Sequence, residues 1–292
     1  MIRSLSRVLL LPSKRCASTS KAAVAPISKA EISSELFDDV QRRVRQHGQT
    51  VEKVIITFNG KDGTKKEFLM NKNLSSPYDC AKHINMLLAK RAAVAIVSYP
   101  GEDARIESMN EPFRDQCEFE LVDFQTELYS KAVNKAYWRS CSVALAAALT
   151  KALAGDIAVS RLHSEVEQCY FAADVSGLKC DVLPEHLKEI NAFLRADLII
   201  KAIPFESVTL PSELAPDYGF TSRVRLCRLG EFVAEVDGPV ISRSDQIGRF
   251  SIVKALAKDS FTRFGAVSLP SSLKCSSYSW NMILDNAKDK IS

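Results

Sequence analysis

Cysteine and histidine, the side chains best suited to binding a metal or transferring a proton, are scattered along this sequence. Its 8 cysteines occur singly, without a Cys-x-x-Cys pair and without a histidine at ligand spacing. This pattern predicts no zinc module. In a reducing compartment the cysteines are expected to be small buried residues without disulfides. The histidines lie in unrelated segments and are expected to be surface or capping residues: His47, His83, His163 and His186.

Nucleotide chemistry and acid–base chemistry lack a recognisable motif as well. The sequence holds no Gly-x-x-x-x-Gly-Lys-Ser/Thr loop and no Gly-x-Gly-x-x-Gly loop, the patterns whose backbone amides hold nucleotide phosphates. Asp156, Asp174 and Asp181 do not form a recognisable pair. We therefore predict no cofactor, no metal and no small-molecule substrate.

The length and the composition are those of a chain that buries a core. The 292 residues are 46% hydrophobic and 25% charged, which is ordinary for two compact domains with an extension. The longest apolar run, residues 143–149, is far too short to cross a bilayer. We expect no membrane span.

The first thirty residues are basic, with no acid before Glu31. A helix through Ile2, Leu5 and Leu9 would be amphipathic and basic, which is typical of a mitochondrial transit peptide. We predict such a peptide at residues 1–20; the alternative is a basic tail without that role. Its removal takes away four basic groups and no acid, which brings the formal net charge from +4 to about zero. Any contact with RNA should then be local and shared with protein contacts.

The periodicity of the first half predicts a helical extension at residues 21–50 and a small α+β domain at 51–125. A helix is expected over 31–47, and alternating strands at 51–58 and 64–69 flank an Asn-Gly and Asp-Gly loop, which favours a hairpin. A helix should then run from Ser76-Pro77 to Arg91, followed by strands at 92–97 and 117–124. This order is typical of a β-grasp domain.

The second half predicts another α+β domain, at 126–268, and a C-terminal helix or tail at 269–292. Helices are expected over 131–153, 184–201 and 279–290 from their apolar periodicity. Strand candidates lie between them, at 157–162, 167–174, 205–210, 223–229, 231–236 and 250–256.

Several segments resemble the N-terminal half of the threonyl-tRNA synthetase family. Residues 63–68 with Pro77-Tyr78-Asp79-Cys80-Ala81 resemble its TGS domain, a β-grasp module. Arg139-Ser140-Cys141, Leu229-Gly230-Glu231-Phe232-Val233 and Gly238-Pro239 resemble motifs of its tRNA-editing domain. The synthetase resemblance implies a β-grasp domain followed by an editing-like α+β domain.

Longer strings resemble a family of proteins of the mitochondrial large ribosomal subunit. They are residues 70–78, the nine residues Val133-Asn134-Lys135-Ala136-Tyr137-Trp138-Arg139-Ser140-Cys141, residues 238–241 and residues 265–270. The ribosomal resemblance implies a structural, non-catalytic subunit that supports mitochondrial translation in the matrix. Its implied partners are large-subunit ribosomal RNA and neighbouring mitochondrial ribosomal proteins.

The editing chemistry of the synthetase family is missing from this sequence. That family uses three histidines and a cysteine, which suit proton transfer or metal ligation near neutral pH. The matching positions here are Arg139, Val143, Val236 and Val240. Valine has no titratable or ligating atom, and arginine stays protonated. The resemblance therefore implies an inactive editing site, with Arg139 expected to fill it with charge and to pair with an acid or an RNA phosphate.

Two other functions remain as alternatives. A free-standing deacylase or tRNA-binding protein would need a surviving histidine or cysteine cluster, and a β-grasp adaptor would leave the second domain unexplained. For the ribosomal function, phosphate contacts are expected from locally clustered cations, with a solvated side chain or an intramolecular ion pair as the alternative for each. The RNA-binding candidates are Arg42, Arg43, Lys65, Lys66, Lys135, Arg139, Arg223, Arg225 and Arg228.

Overall fold

The computed structural model describes residues 32–45, 51–153, 157–164, 170–178 and 181–291. The transit peptide predicted at 1–20 lies outside these residues. Helices and sheets are mixed, which confirms the predicted α+β class. The helices are α1 (Ser34–Arg45), α2 (Pro77–Ile84), α3 (Met86–Arg91), α4 (Ser130–Ala152), α5 (Pro184–Phe193) and α6 (Ser277–Lys290). The strands are β1 (Lys53–Asn59), β2 (Lys65–Asn71), β3 (Val94–Ser98), β4 (Arg105–Ser108), β5 (Cys117–Val122), β6 (Ala158–His163), β7 (Phe171–Ser176), β8 (Glu206–Leu210), β9 (Val224–Leu229), β10 (Phe232–Val236), β11 (Ile247–Ala257) and β12 (Thr262–Pro270).

The first unit is a mixed sheet in the order β2-β1-β5-β3-β4, in which β1 and β5 run parallel and the other pairs are antiparallel. The predicted hairpin is present, and Gly63 in its loop has a φ of +81°, a conformation that favours glycine. Val54, Ile56 and Phe58 alternate towards one face, where they pack against α2 and α3. This alternation is what the sequence pattern of β1 dictates.

The single helix predicted from residue 76 to 91 is wrong, because Asn85 divides it. Asn85 is extended, with a φ of −164°, and its side-chain oxygen accepts a hydrogen bond from the backbone N–H of Leu87 at 2.8 Å. The amide thus competes with the helical backbone and begins α3 as an N-cap. At the start of α2, Ser76 and Asp79 cap each other's backbone.

The long helix α4 lies between the first unit and the rest of the chain. Val94, Ile96 and Val122 on the second face of the first sheet belong to the same core cluster as Val133 and Tyr137 of α4. Residues 140–149 of α4 are all buried. A helix that is apolar around its circumference is one that is covered on all sides.

The second unit contains a three-stranded sheet, β10-β9-β8, and a four-stranded sheet, β11-β12-β7-β6. The sequence missed β12, a central strand, because Gly265 resembles a turn signal; a Cβ there would meet the side chain of Ile291 at 2.3 Å. It also missed β4, where Glu107 is buried beside Arg105 and breaks the apolar pattern. The proposed domain boundary at 268/269 falls inside β12, which ends at Pro270.

Helix α1 packs on the three-stranded sheet of the second unit, although 21–50 was expected to be a separate extension. Phe37 and Val40 are fully buried against Val208 and Leu226. The guanidinium of Arg228 lies 4.5 Å from the ring centroid of Phe37. The N-terminal helix is therefore part of the second unit's core.

Polar contacts join the first unit to the second. The Glu111 carboxylate accepts hydrogen bonds from the hydroxyls of Ser207, at 2.6 Å, and Thr209. The Asn110 amide donates to the carbonyls of Phe205 and Ser242, both at 2.9 Å. These buried or partly buried hydrogen bonds fix the position of the first unit against the second.

Candidate functional site

A cleft with a volume of about 730 Å³ lies where the sequence placed the editing-like site. Its floor is the outer surface of α4, including Arg139, Ser142 and Thr150. Its walls are β6 and β10, which belong to different sheets. The helix therefore sets the position of the cleft, and the two strands set its width.

Arg139 lines this cleft and is largely buried. Its Nε pairs with the carboxylate of Asp237, and its Nη1 donates to the carbonyl of Pro239 at 2.7 Å. Only 12% of the Arg139 side chain is exposed, against 77% of the Asp237 side chain. Gly238 lets the guanidinium approach, because a Cβ there would lie 2.9 Å from the Arg139 Cζ. Arg139 thus joins α4 to the turn after β10.

The three valines at the other positions of the predicted editing-like site are buried in the core. Val143 and Val240 are fully buried, and Val236 is 7% exposed. Together with the contact between Arg139 and Pro239, this places all four positions around the junction of α4 with the segment 236–240. Ser140 strengthens the junction, because its hydroxyl accepts a hydrogen bond from the Ile241 N–H at 2.8 Å. The junction contains apolar groups and a paired cation, which can neither ligate a metal nor move a proton.

Four cysteines of the described residues are buried in the core. Cys80, Cys117, Cys141 and Cys227 are buried free thiols. Burial raises the pKa of Cys80, Cys117 and Cys141 to about 12, so the thiols stay protonated. In the part of the chain that the structure describes, no three His, Cys, Asp or Glu side chains are grouped as a metal site.

The charges that line the cleft balance one another. The cations are Arg139, Lys151, Arg161 and Lys201, and the acids are Asp197, Glu231, Glu235 and Asp237. Lys151 lies 3.3 Å from Glu231, and Lys201 pairs with Asp197. A lining of equal positive and negative charge offers no net attraction to a polyanion.

The structure separates the RNA-binding candidates into three groups. Three are largely buried in intramolecular ion pairs: Arg139, Arg225 with Glu111, and Arg228 with Asp38 and Glu206. Arg43 is intermediate, since it is 46% exposed and lies 2.6 Å from Asp217. The remaining candidates are exposed: Arg42, Lys65, Lys66, Lys135 and Arg223.

One polar cluster was missed from the sequence. His163 Nε2 lies 2.7 Å from Asp174 Oδ2, and Arg263 binds both oxygens of the same carboxylate at 2.7 and 2.9 Å. Hydrogen bonds from Arg263 and His163 lower the pKa of Asp174 below its usual value, against the effect of burial. The three residues come from β6, β7 and β12, which only the sheet brings together.

A comparison with curated proteins finds the large ribosomal subunit protein mL39 of Drosophila melanogaster. The two sequences are 27% identical, and the match covers 87% of this chain and 83% of the fly protein. The chain is thus similar to mL39 along most of its length. This finding confirms the resemblance to a ribosomal protein that the sequence strings predicted, whereas the resemblance to the synthetase domains stays a prediction.

The similarity to mL39 extends over both units. The part of the chain outside the match is 13%, the remainder of 87%, which is shorter than either unit.

A search of protein-family models finds no match. Among solved structures, the coiled-coil, RA and PH domains of lamellipodin cover 88% of this chain, and this chain covers 95% of theirs, at 7% identity. The TM-score of 0.20 is too low to indicate a shared fold. The relationship to mL39 therefore rests on sequence.

Proposed function

We propose that this protein is a structural, non-catalytic component of the mitochondrial large ribosomal subunit and supports mitochondrial translation. The observation that carries the proposal is the similarity to the ribosomal protein mL39 along 87% of the chain. The basic, acid-free leader at residues 1–20 supports delivery to the mitochondrial matrix.

The inactive junction between α4 and the segment 236–240 supports a non-catalytic function. Arg139 is held by Asp237 and Pro239, and the valines around it carry no reactive group. The balanced charges of the cleft supply no attraction for tRNA. No observation favours the alternative of a free-standing deacylase.

For the architecture, the proposal is a TGS-like β-grasp domain at 51–125 and an inactive editing-like domain from residue 126 to the end of β12 at Pro270. Helix α1 packs on the second domain, and helix α6 follows it. The sheet order β2-β1-β5-β3-β4 supports the first assignment, together with the parallel pair β1–β5 and the helices between β2 and β3. The clustering of the four former editing positions supports the second.

The proposed partners are large-subunit ribosomal RNA and neighbouring ribosomal proteins. RNA phosphates are best reached by the exposed cations Arg42, Lys65, Lys66, Lys135 and Arg223. The near-zero formal charge without residues 1–20 means that protein neighbours supply part of the binding. No described helix is long and apolar enough to cross a membrane.

Sedimentation tests this function. The full chain with a C-terminal epitope tag is expressed in cells, and mitochondrial lysate is separated on a sucrose gradient. We expect the tag in the large-subunit fractions and a shift to the top of the gradient after ribonuclease treatment. A tag at the top of the untreated gradient, in material shown to be inside mitochondria, would overturn the proposal.

Two controls make the result specific. A variant with Arg3, Arg7, Lys14 and Arg15 changed to alanine removes the charge of the leader, so that failure of import is distinguished from failure of assembly. Purified protein is also incubated with threonine-specific tRNA that has been mischarged with serine. Release of serine at the rate of buffer alone is expected, and accelerated release would restore the deacylase alternative.

A further inference from the structure

A second cavity lies where the first unit meets the second. Its volume of about 390 Å³ falls within the range of about 300–1,000 Å³ that is common for small-ligand pockets. β4 and the loop after it line one side, and β8 and the loop after it line the other. The described residues that line this cavity are all different from those that line the cleft beside Arg139. It is therefore a separate candidate site.

Buried carboxylates lie on the deep wall of this cavity. The side chains of Glu107, on β4, and Glu111, in the loop after it, are only 4% and 8% exposed. Arg105 donates a hydrogen bond to Glu107 at 2.6 Å. Burial and the neighbouring Glu111 nevertheless raise the pKa of Glu107 above its usual value, so a further hydrogen-bond donor would stabilise its charged form.

Arginines surround the opening of the cavity. Their side chains are exposed or partly exposed: Arg105, Arg114 and Arg223. The guanidinium carbons of Arg105 and Arg114 lie 5.1 and 4.1 Å from the centroid of the Tyr99 ring, which holds both cations in place. Among the described lining residues, Glu213 is the exposed acid, and Glu102 pairs with Arg105 and Arg114 from outside the lining. Three cations against two acids leave the opening positive, so it attracts an anion.

Acceptors at depth and cations at the opening match the two ends of a nucleotide. The amino group of a base donates to a carboxylate, and arginine pairs with phosphate and stacks on the plane of an unpaired base. Pro112, Val208 and Leu214 add apolar surface to the lining. A simple anion fits the opening only, because Glu107 and Glu111 would repel it from the deep wall.

We propose that the cavity between β4 and β8 binds one unpaired nucleotide of RNA, with an amino-bearing base towards Glu107 and its phosphate at the arginines of the opening. This inference rests on the proposed ribosomal function, which supplies the RNA. It adds Arg105 and Arg114 to the cations that contact RNA. It also gives the protein a contact with a base, whereas contacts with phosphates alone carry no sequence information.

Fluorescence anisotropy tests the preference for an amino-bearing base. Four labelled RNAs, each a uridine heptamer whose central nucleotide is U, C, A or G, are titrated with the purified full chain. C, A and G carry an exocyclic amino group, whereas U does not. At least one of these three RNAs should bind about fivefold or more tightly than the all-uridine heptamer. Equal affinity for all four would overturn the proposal.

Two tryptophan variants decide whether the preference arises in the cavity. Ser212 is exposed and lines the cavity, so Ser212→Trp should obstruct it without disturbing the core. Ser272 is exposed on the loop after β12 and is not among the lining residues, so Ser272→Trp is the matched control. Ser212→Trp is expected to reduce the affinity for the preferred heptamer to the all-uridine level, and Ser272→Trp to preserve it. Equal binding by both variants would exclude the cavity.

Two further variants test the orientation of the nucleotide. Glu107→Gln should weaken the preference among the heptamers, and Arg223→Ala should reduce the slope of log binding constant against log salt concentration by about one. Arg195→Ala, which changes an exposed arginine outside the lining, should leave both quantities unchanged. If urea unfolding shows that Glu107→Gln is not folded, the result at Ser212 decides. A folded Glu107→Gln variant that keeps the preference would refute the orientation.

Competition distinguishes RNA from a free nucleotide. The 5′-monophosphate of the preferred nucleoside should compete at least about tenfold more weakly than the unlabelled heptamer, because further phosphates of the heptamer reach the surrounding cations. Equal competition would assign the cavity to a free nucleotide and overturn the proposal. A tagged chain that sediments with the large subunit but shows no preference among the heptamers would refute the cavity assignment and leave the ribosomal function intact.

Discussion

Arg139 of α4 and Asp237 after β10 form an ion pair in the lining of the cleft. The same guanidinium donates to the carbonyl of Pro239 at 2.7 Å. Arg139 thus holds together two segments that are distant in sequence. The charge serves as a structural link, and the expected pairing of Arg139 with an acid is what the structure contains.

Replacing Arg139 by alanine should destabilise the protein by about 1–2 kcal/mol. The loss combines a charge-assisted hydrogen bond with an ion pair that is discounted because Asp237 is largely exposed. Urea unfolding measures it. Lys151→Ala, which removes the exposed pair with Glu231, should change the free energy of unfolding by less than about 0.5 kcal/mol. If Arg139→Ala left both stability and ribosome incorporation unchanged, the structural link would be refuted.

Gly238→Ala should disturb the same link. The new Cβ would lie 2.9 Å from Cζ and Nη2 of Arg139, so the guanidinium must move away from Asp237. Once Arg139 is alanine, the added methyl group meets no such obstacle. A double-mutant cycle should therefore give a coupling energy of about 1 kcal/mol between the two sites. Strict additivity would mean that the contact does not constrain the turn.

Arg228→Ala should weaken the attachment of α1. Arg228 is 15% exposed, lies 2.6 Å from both Asp38 and Glu206, and covers the ring of Phe37. Its loss should cost about 1–2 kcal/mol and speed hydrogen exchange in α1 more than in α4. Arg42→Ala on the exposed face of α1 is the control and should leave exchange unaltered. Equal exchange in both variants would show that Arg228 is dispensable for docking of α1.

Lys65→Ala with Lys66→Ala should reduce incorporation into the large subunit without lowering stability. Both side chains are exposed on the edge strand β2, where they can reach RNA phosphates. Each lost phosphate contact should reduce the slope of log binding constant against log salt concentration by about one. Gradient fractionation at two salt concentrations and a melting curve measure the two effects. A lowered melting temperature would assign these lysines a folding role instead.

Asp174→Asn should make stability less dependent on acid pH. The pKa of Asp174 is lower in the folded state than its usual value, because hydrogen bonds from Arg263 and His163 outweigh its burial. Its contribution is therefore present above the unfolded pKa of about 3.9 and is lost as the pH falls through the folded pKa.

The Asn variant should accordingly be less stable than the parent near pH 7, by about 2 kcal/mol, and the difference should shrink towards pH 2. Urea unfolding across this range measures it. Asp285→Asn, which changes a residue 69% exposed, should follow the parent. A constant difference between Asp174→Asn and the parent at all pH values would contradict the pKa assignment.

Local pattern predicted much of the secondary structure, and it failed where tertiary contacts overrode it. The hairpin around Gly63, the long helix α4 and the terminal helix α6 all follow from periodicity and turn residues. Asn85 splits a helix because its amide satisfies the backbone. Strand β12 was not predicted because Gly265 resembles a turn signal. The glycine is instead required by the packing of Ile291, a residue distant in sequence.

The candidate site, too, was predicted in part from the sequence and decided in part by the fold. Residue identity alone determined that the valines at positions 143, 236 and 240 can carry no proton or metal, since no environment gives valine a titratable atom. Which of the candidate cations are exposed and which are held in ion pairs was decided by the fold. Arg225 and Arg228 pair with acids on α1, on β8 and on the loop after β4. Such partners are distant in sequence, and only the packing of α1 and the first unit onto the three-stranded sheet brings them within reach.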